Sequence, residues 1–315
     1  MNVLVTGGAG FVGSHLVERL VSLGDTVAVV DDLSTGKLEN LDAVRDRIAF
    51  EEIDVTSFWD LNRAAIGADV IVHCAARLGV EAVLNDPTAQ FENVQGIQNV
   101  LSVAERQGCK VLFTSTSSVY GCQTPPYRED MSLVLRPDRM SSYSCAKLMG
   151  EYLAQSFNDV RQVPTCIVRL FNMSGPRAAT SGPYSFVLQR FVKAALEGSD
   201  LVVYGDGSQT RSFTYVKDGA RSLERLLHCP EAFDGRPINI GSSEEISILH
   251  LARQVRSITG SSSQIVFKPY REVHPNFTDY QRRQPDCGRL ANLISYRPTT
   301  GLEAIVRLTA ESLER

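Results

Sequence analysis

The sequence predicts an α/β protein: a Rossmann-type, doubly wound parallel sheet with a smaller mixed α/β region toward the C-terminus. Three observations carry that prediction. Over the first half, short apolar runs alternate with amphipathic stretches, the pattern of a parallel sheet covered by helices on both faces. A glycine cluster separates the first run from the first helix, as phosphate-binding turns require. Beyond about residue 172, glycines and prolines at 174–183, 205–207 and 235–241 interrupt the alternation.

The first strand, 2–6, leads into a helix over 11–23. Between them Gly7, Gly10 and Gly13 are spaced G-x-x-G-x-x-G. The first glycine permits the tight turn, the second a close backbone approach to a pyrophosphate, and the third close packing of helix on strand. Phe11 and Val12 open the helix, whose unpaired N–H groups face the same phosphates. The second strand, 26–31, ends in Asp31-Asp32, close to the spacing of about 20 residues at which a carboxylate meets the adenosine ribose hydroxyls. That acid favours NAD over NADP. Strands follow at 48–53 and 69–74, with a helix over 57–66 between them. The fourth strand runs into Cys74-Ala75-Ala76, small residues that let a flat ligand reach the carboxyl edge of the sheet. A helix over 87–107, strands at 110–115 and 165–170, and a helix over 143–158 complete the alternation. In the second region helices are expected at 184–197, 217–228, 246–259 and 301–312, and strands at 201–204, 236–240 and 264–267. The apolar run at 236–240 reads as a strand that returns to the main sheet.

The 315 residues suffice for one large domain with an appendage. A net charge of −4 without a basic run gives no electrostatic support for nucleic acid as a partner, and no apolar stretch reaches membrane-spanning length. A strand starting at Asn2 leaves no room for a leader peptide, and the seven cysteines form no C-x-x-C pair. Together these predict a cytoplasmic protein with reduced cysteines. The five histidines have no metal-ligand spacing, so no metal is expected.

The chemistry centres on Tyr143 and Lys147, four residues apart in a helical segment and therefore on one face. An ammonium beside a phenol favours the phenolate, so the pair is expected to lower the tyrosine pKa and make it a base. The strand at 110–115 ends in a hydroxyl-rich run, Thr114-Ser-Thr-Ser-Ser-Val-Tyr-Gly121, over the crevice where parallel sheets bind ligands.

These segments, with Arg169-Leu-Phe-Asn172, Gly205-Asp-Gly-Ser-Gln-Thr-Arg-Ser-Phe213 and Ile238-Asn-Ile-Gly-Ser242, occur in the order seen in a known family. The chain resembles the extended short-chain dehydrogenases/reductases, in their NAD-dependent nucleotide-sugar epimerase/dehydratase branch, over nearly its whole length. The resemblance implies an NAD-binding domain over 1–172 and a nucleotide-sugar-binding region over 173–315, with segments near 210–240 returning to the sheet. By the same resemblance Asp54 and Val55 hold the adenine, and Asn93 lies near the nicotinamide ribose, which Lys147 also holds. Asn172 and Arg211 take the sugar nucleotide's diphosphate. Tyr143 removes the C4 hydroxyl proton, and Thr116 hydrogen-bonds the reacting oxygen. Arg169 is left as a structural residue. The family's usual helix-mediated dimer implies a homodimer.

Departures from the family pattern decide the later chemistry. Where 4,6-dehydratases resemble T-D-E-V-Y-G and UDP-glucuronate decarboxylases T-S-E-V-Y-G, this chain has Ser117 and Ser118. Neither serine can serve as the missing acid or base, which favours a 4-epimerase of a nucleotide sugar, with UDP-hexose gluco/galacto interconversion as the leading expectation. Arg283, in Gln281-Arg-Arg-Gln-Pro-Asp286, resembles an arginine of the decarboxylase branch that lies near a sugar carboxylate. It either reads a uronic acid or merely meets the diphosphate or solvent. UDP-glucuronate 4-epimerisation or decarboxylation, another lyase reaction, and a non-catalytic NAD sensor stand as alternatives.

Overall fold

The computed structural model describes residues 1–77, 88–135, 141–180, 185–269, 272 and 281–314. Its centre is a seven-stranded parallel sheet in the order β11-β6-β5-β4-β1-β2-β3. The strands are β1 (Asn2–Thr6), β2 (Thr26–Asp31), β3 (Ile48–Glu52), β4 (Val70–His73), β5 (Lys110–Thr116), β6 (Thr165–Leu170) and β11 (Pro237–Ile240). The chain order turns back between β1 and β4, and the ends of these two strands form the crevice of a doubly wound sheet. Pro237 opens the edge strand β11, a place where its missing N–H costs no ladder bond.

Side chains alternate across the pleat and feed two cores. Val3, Val5, Val27, Val29, Val70, Val72 and Val168 face α1 (Phe11–Ser22) and, from the second region, α6 (Val216–Leu227) and α8 (Gly288–Ile294). Leu4, Val30, Ile71, Val111, Phe113 and Ile167 face α2 (Phe58–Ala64), α3 (Ala89–Gln107) and α4 (Ser141–Arg161). A third core lies in the second region, among α5 (Val187–Leu196), β8 (Leu201–Tyr204), α7 (Ile248–Ile258) and α9 (Leu302–Leu313). Phe11 and Val12 pack against both the first and the third core, so the start of α1 joins the two regions.

The expected helices and strands over the first 172 residues are found to within a few residues at their ends. Position 87, expected to start α3, and position 184, expected to start α5, lie outside the described residues. The sequence reading missed β7 (Met173–Ser174), β9 (Thr210–Ser212), β10 (Thr214–Tyr215), β12 (Glu245–Ser247) and helix α8. The strands among these are two or three residues long and exist through distant pairing: β7 with β10, and β9 with β12. No periodicity can develop over so few residues. β13 (Ile265–Lys268) pairs with β8 in parallel. Among the described residues no helix is long and apolar enough to cross a membrane.

Candidate active site

The glycine turn is shaped by contacts that exclude side chains. Gly7 has a φ of +69°, and a Cβ there would stand 2.5 Å from the Ala75 nitrogen. The ends of β1 and β4 are therefore in direct contact at the crevice. Gly10 donates to the Gly7 carbonyl at 3.1 Å and caps α1 without help from a side chain. A Cβ on Gly13 would collide with the same Gly7 carbonyl. This bare backbone, followed by a helix N-terminus, fits a pyrophosphate. Gly7→Ala is expected to cost about 1–2 kcal/mol from the left-handed backbone alone, plus the clash with Ala75. A lower unfolding midpoint together with weakened NAD binding would register it.

Asp31 closes the other end of this site. Its Oδ2 accepts from Ala9 N and its Oδ1 from Leu33 N, each at 2.9 Å. Burial pushes its pKa up, against the pull of these amides. A carboxylate has about four acceptor sites, so capacity remains for a ribose hydroxyl beside the amides of Ala9, Leu33 and Gly10. Asp32 is turned differently: Oδ1 accepts from Ser34, and Oδ2 lies 3.2 Å from Arg77 Nη2. Asp54 Oδ1 accepts from Thr56 N at 2.8 Å, and the Val55 side chain covers Gly96 of α3. Asn93, assigned by resemblance to the nicotinamide ribose, spends its amide elsewhere. Its Oδ1 accepts from Arg77 N at 2.7 Å, and its Nδ2 donates to Arg77 O at 2.8 Å and to Gln90.

Tyr143, Lys147 and Glu151 lie at successive four-residue steps of α4 and share the face that packs on β5 and β6. Lys147 Nζ donates to the Thr114 carbonyl at 2.9 Å and sits 4.9 Å from the Phe113 ring centroid. Glu151 accepts from Ser115 Oγ at 2.5 Å and makes a bidentate pair with Arg169. Arg169 is therefore the structural residue it was expected to be. The expected mutual activation of Tyr143 and Lys147 is not seen in this structure. The ammonium is 6.0 Å from the centroid of the Tyr143 ring and turned to the Thr114 carbonyl. Burial raises the phenol above its ordinary value and lowers Lys147 to about 8. The sequence places the two groups on one face, but burial, which spacing along the chain does not encode, opposes both charges.

The hydroxyl run folds into a short 3-10 turn, Ser117–Tyr120, capped by Thr116, whose Oγ1 accepts from Ser118 N at 3.2 Å. Ser117 is buried, whereas Ser118 Oγ receives hydrogen bonds from Thr116 at 3.3 Å and from Arg283 Nη1 at 3.4 Å. The structure thus brings Arg283 to Ser118 at the end of β5. A strap around residues 281–287 delivers it. Tyr127 N donates to Gln284 O, Asp286 N donates to Tyr127 O, and Thr210 N donates to Gln281 O. Glu245 anchors the strap by pairing with Arg282 at 2.7 Å and accepting from Thr210 Oγ1 at 2.5 Å. Thr210 precedes Arg211, which is largely buried and donates to the Thr210 carbonyl at 2.7 Å. Asn172, at a φ of +38°, ties this wall to β6: its Nδ2 donates to Ser212 O and its carbonyl accepts from Thr214 N.

Two features escaped the sequence reading. Glu245 carries no local signal, because its partners lie 35 and 37 residues away. His15 is the second: with Arg177, whose segment Gly175-Pro-Arg177 does stand out in the sequence, it joins α1 to the loop after β7. His15 Nε2 lies 3.0 Å from Pro176 O, and Arg177 binds Ser14 and Glu18.

Residues 3–241 match the sequence profile of the NAD dependent epimerase/dehydratase family. The UDP-N-acetyl-alpha-D-glucosaminuronate decarboxylase of Bacillus cytotoxicus is 38% identical over 312 residues, which cover 98% of this chain and 96% of that enzyme. The UDP-glucose 4-epimerase of Thermotoga maritima, solved with UDP-glucose, superposes with a TM-score of 0.91 at 28% identity, covering 100% and 99% of the two chains. The UDP-glucuronic acid 4-epimerase of Bacillus cereus, solved with UDP-glucuronic acid and NAD, gives 0.89 at 28% identity and the same coverage.

Proposed function

The chain belongs to the NAD-dependent epimerase/dehydratase family, and from that premise we propose that it is a 4-epimerase of a UDP-linked uronic acid. The observation that carries the substrate class is the contact of Arg283 with Ser118, beside Thr116 at the end of β5. A guanidinium there offers paired donors to a sugar carboxylate. Arg211, held by the β9–β12 pair, and Asn172 are the groups for the diphosphate.

NAD, when bound, supplies the oxidant for C4. Gly7, Gly10, Phe11, Val12 and Gly13 would hold its pyrophosphate. Asp31, with Asp32 beside it, would take the adenosine ribose, and Asp54 and Val55 the adenine. Ala75 leaves room at the crevice, and Lys147 would hold the nicotinamide ribose. Tyr143 accepts the proton of the C4 hydroxyl, and Thr116 holds the oxygen as it becomes a carbonyl. The resulting 4-ketone is then reduced on its opposite face, which needs no further acid or base.

That ketone stands β to the C6 carboxylate, an arrangement prone to loss of carbon dioxide. An arginine on that carboxylate would bind the uronate in either reaction, so it selects the substrate class and not the fate of the ketone. Ser117 and Ser118 add no acid to promote the loss. Decarboxylation is the second reading, favoured by the Bacillus cytotoxicus relative, whose name denotes that reaction on a uronate.

Incubation with UDP-glucuronate, UDP-N-acetylglucosaminuronate and UDP-glucose, followed by NMR, separates the possibilities. A C4-inverted uronate is expected. A UDP-pentose with carbon dioxide would establish the lyase instead, and conversion of UDP-glucose alone would overturn the uronate assignment. Arg283→Ala should lower kcat/KM for the uronate by roughly 10–100-fold, the worth of a charge-assisted hydrogen bond, while leaving turnover of neutral UDP-sugars within about threefold.

The assembly is proposed to be a homodimer through α3 and α4, which pack together and carry Phe91 and Tyr152 at 74% and 60% exposure. All seven cysteines are unpaired, which supports a reducing, cytoplasmic setting.

A further inference from the structure

Arg77 has no part in the chemistry above, yet it is held from several sides. Its main chain is clamped by both ends of the Asn93 amide, N–H to Oδ1 at 2.7 Å and Nδ2 to the carbonyl at 2.8 Å. Its Nε donates to Glu92 Oε2 on α3 at 2.9 Å, and its Nη2 lies 3.2 Å from Asp32 Oδ2, just past β2. Glu92, Asp32 and Asp54 together hold the guanidinium more firmly protonated than usual. β1 lies between β4 and β2 in the sheet. An arginine that leaves the end of β4 and reaches the end of β2 therefore crosses the carboxyl end of β1, where the glycine turn begins. Asp31, Asp54 and Val55 stand at that same end.

We propose that Arg77 closes over the adenosine half of bound NAD and retains the cofactor between the two halves of the reaction. The inference rests on the cofactor reading above and adds a residue to it. Stability alone does not account for the bridge: Arg77 and Asp32 are each 31% exposed, and ion pairs so exposed contribute little. A guanidinium plane laid over a heteroaromatic base is favourable, and Glu92 and Asp32 steer that plane while Asn93 fixes its root. Asn93 then acts as a positioning residue through Arg77, which accounts for an amide spent on main chain. The demand for such a clamp follows from the chemistry. An enzyme that oxidises and re-reduces one carbon completes its cycle only if the cofactor stays in place throughout.

The test uses the full-length chain with Arg77→Ala and Arg77→Lys. NAD affinity is measured by calorimetry, release is followed after transfer into cofactor-free buffer, and melting is recorded with and without NAD. Arg77→Ala is expected to bind NAD about tenfold more weakly and release it correspondingly faster, with Arg77→Lys intermediate. The cofactor-free melting temperature should stay at the wild-type value while the NAD-induced rise shrinks. Unchanged NAD affinity in Arg77→Ala overturns the proposal, and so does a fall in cofactor-free melting with release unaltered. Wild-type protein that binds no NAD would overturn the cofactor reading itself and the role of Arg77 with it.

Discussion

Tyr143→Phe is expected to lower turnover by about 10³-fold, the usual range for loss of a positioned general base being about 10²–10⁴. The substitution removes one oxygen from a side chain on the inner face of α4 and leaves the ring in place. Fold and NAD affinity should therefore stay near wild type while kcat falls. Burial raises the phenol in the ligand-free protein, so the phenolate has to be favoured by neighbouring charge. Lys147 supplies a positive charge below its pKa of about 8 and loses it above. It can help only if its ammonium turns from the Thr114 carbonyl toward the phenol or toward a ribose shared with it. The measurement is single-turnover conversion of the uronate substrate to its C4-inverted product, with NAD stoichiometry determined in parallel. Turnover within tenfold of wild type would remove Tyr143 from the role of base.

The second large effect concerns stability. Glu151→Gln should destabilise the protein by about 3–5 kcal/mol, the cost of breaking one side of a buried ion pair. Arg169 and Glu151 have side chains only 4% and 6% exposed and are joined at 2.7 Å. Glu151 also accepts from Ser115, and the Arg169 guanidinium lies 4.7 Å from the Tyr120 ring centroid. Tyr120 in turn donates to Asn239 of β11. One carboxylate thus organises the contacts of β5, β6, α4 and the edge strand, and among the described residues Arg169 Nη1 has no hydrogen-bond partner. Neutralising Glu151 leaves the guanidinium buried without a counter-charge. Urea denaturation gives the loss directly. The double variant Glu151→Leu/Arg169→Met should recover most of it, because an apolar pair of similar volume avoids the desolvation cost. A loss under about 1 kcal/mol in the single variant would show that the pair is not organising this region.

The first half of the chain was legible because its signals are local. A strand, a glycine turn and a helix can be read within twenty residues, and β1 to β6 follow one alternating pattern. Tyr143 and Lys147 were legible for the same reason, since one helical turn separates them. The short strands of the second region were not. β9 exists because Arg211 pairs across to Ile246, and β7 because Met173 pairs with Thr214. Nor was the orientation of Lys147 legible, because it depends on a carbonyl of a different strand. Asn93 illustrates the same limit: its partner, the main chain of Arg77, lies 16 residues away and leaves no local signal.

By itself the sequence determined the doubly wound sheet, the glycine turn with Asp31 at the end of the second strand, the pair on one face of α4 and the serines at positions 117 and 118. Each of these is a matter of spacing along the chain, where helical and strand periods convert position directly into direction. Only the tertiary structure decided that Arg283 meets Ser118, that Glu151 and Arg169 neutralise each other inside the core, and that Arg77, beyond the end of β4, pairs with Glu92 on α3 and with Asp32 beyond β2. Those contacts join residues between 15 and 165 positions apart. Their energies depend on burial and on partner geometry, which are set by how the layers pack and not by any local period.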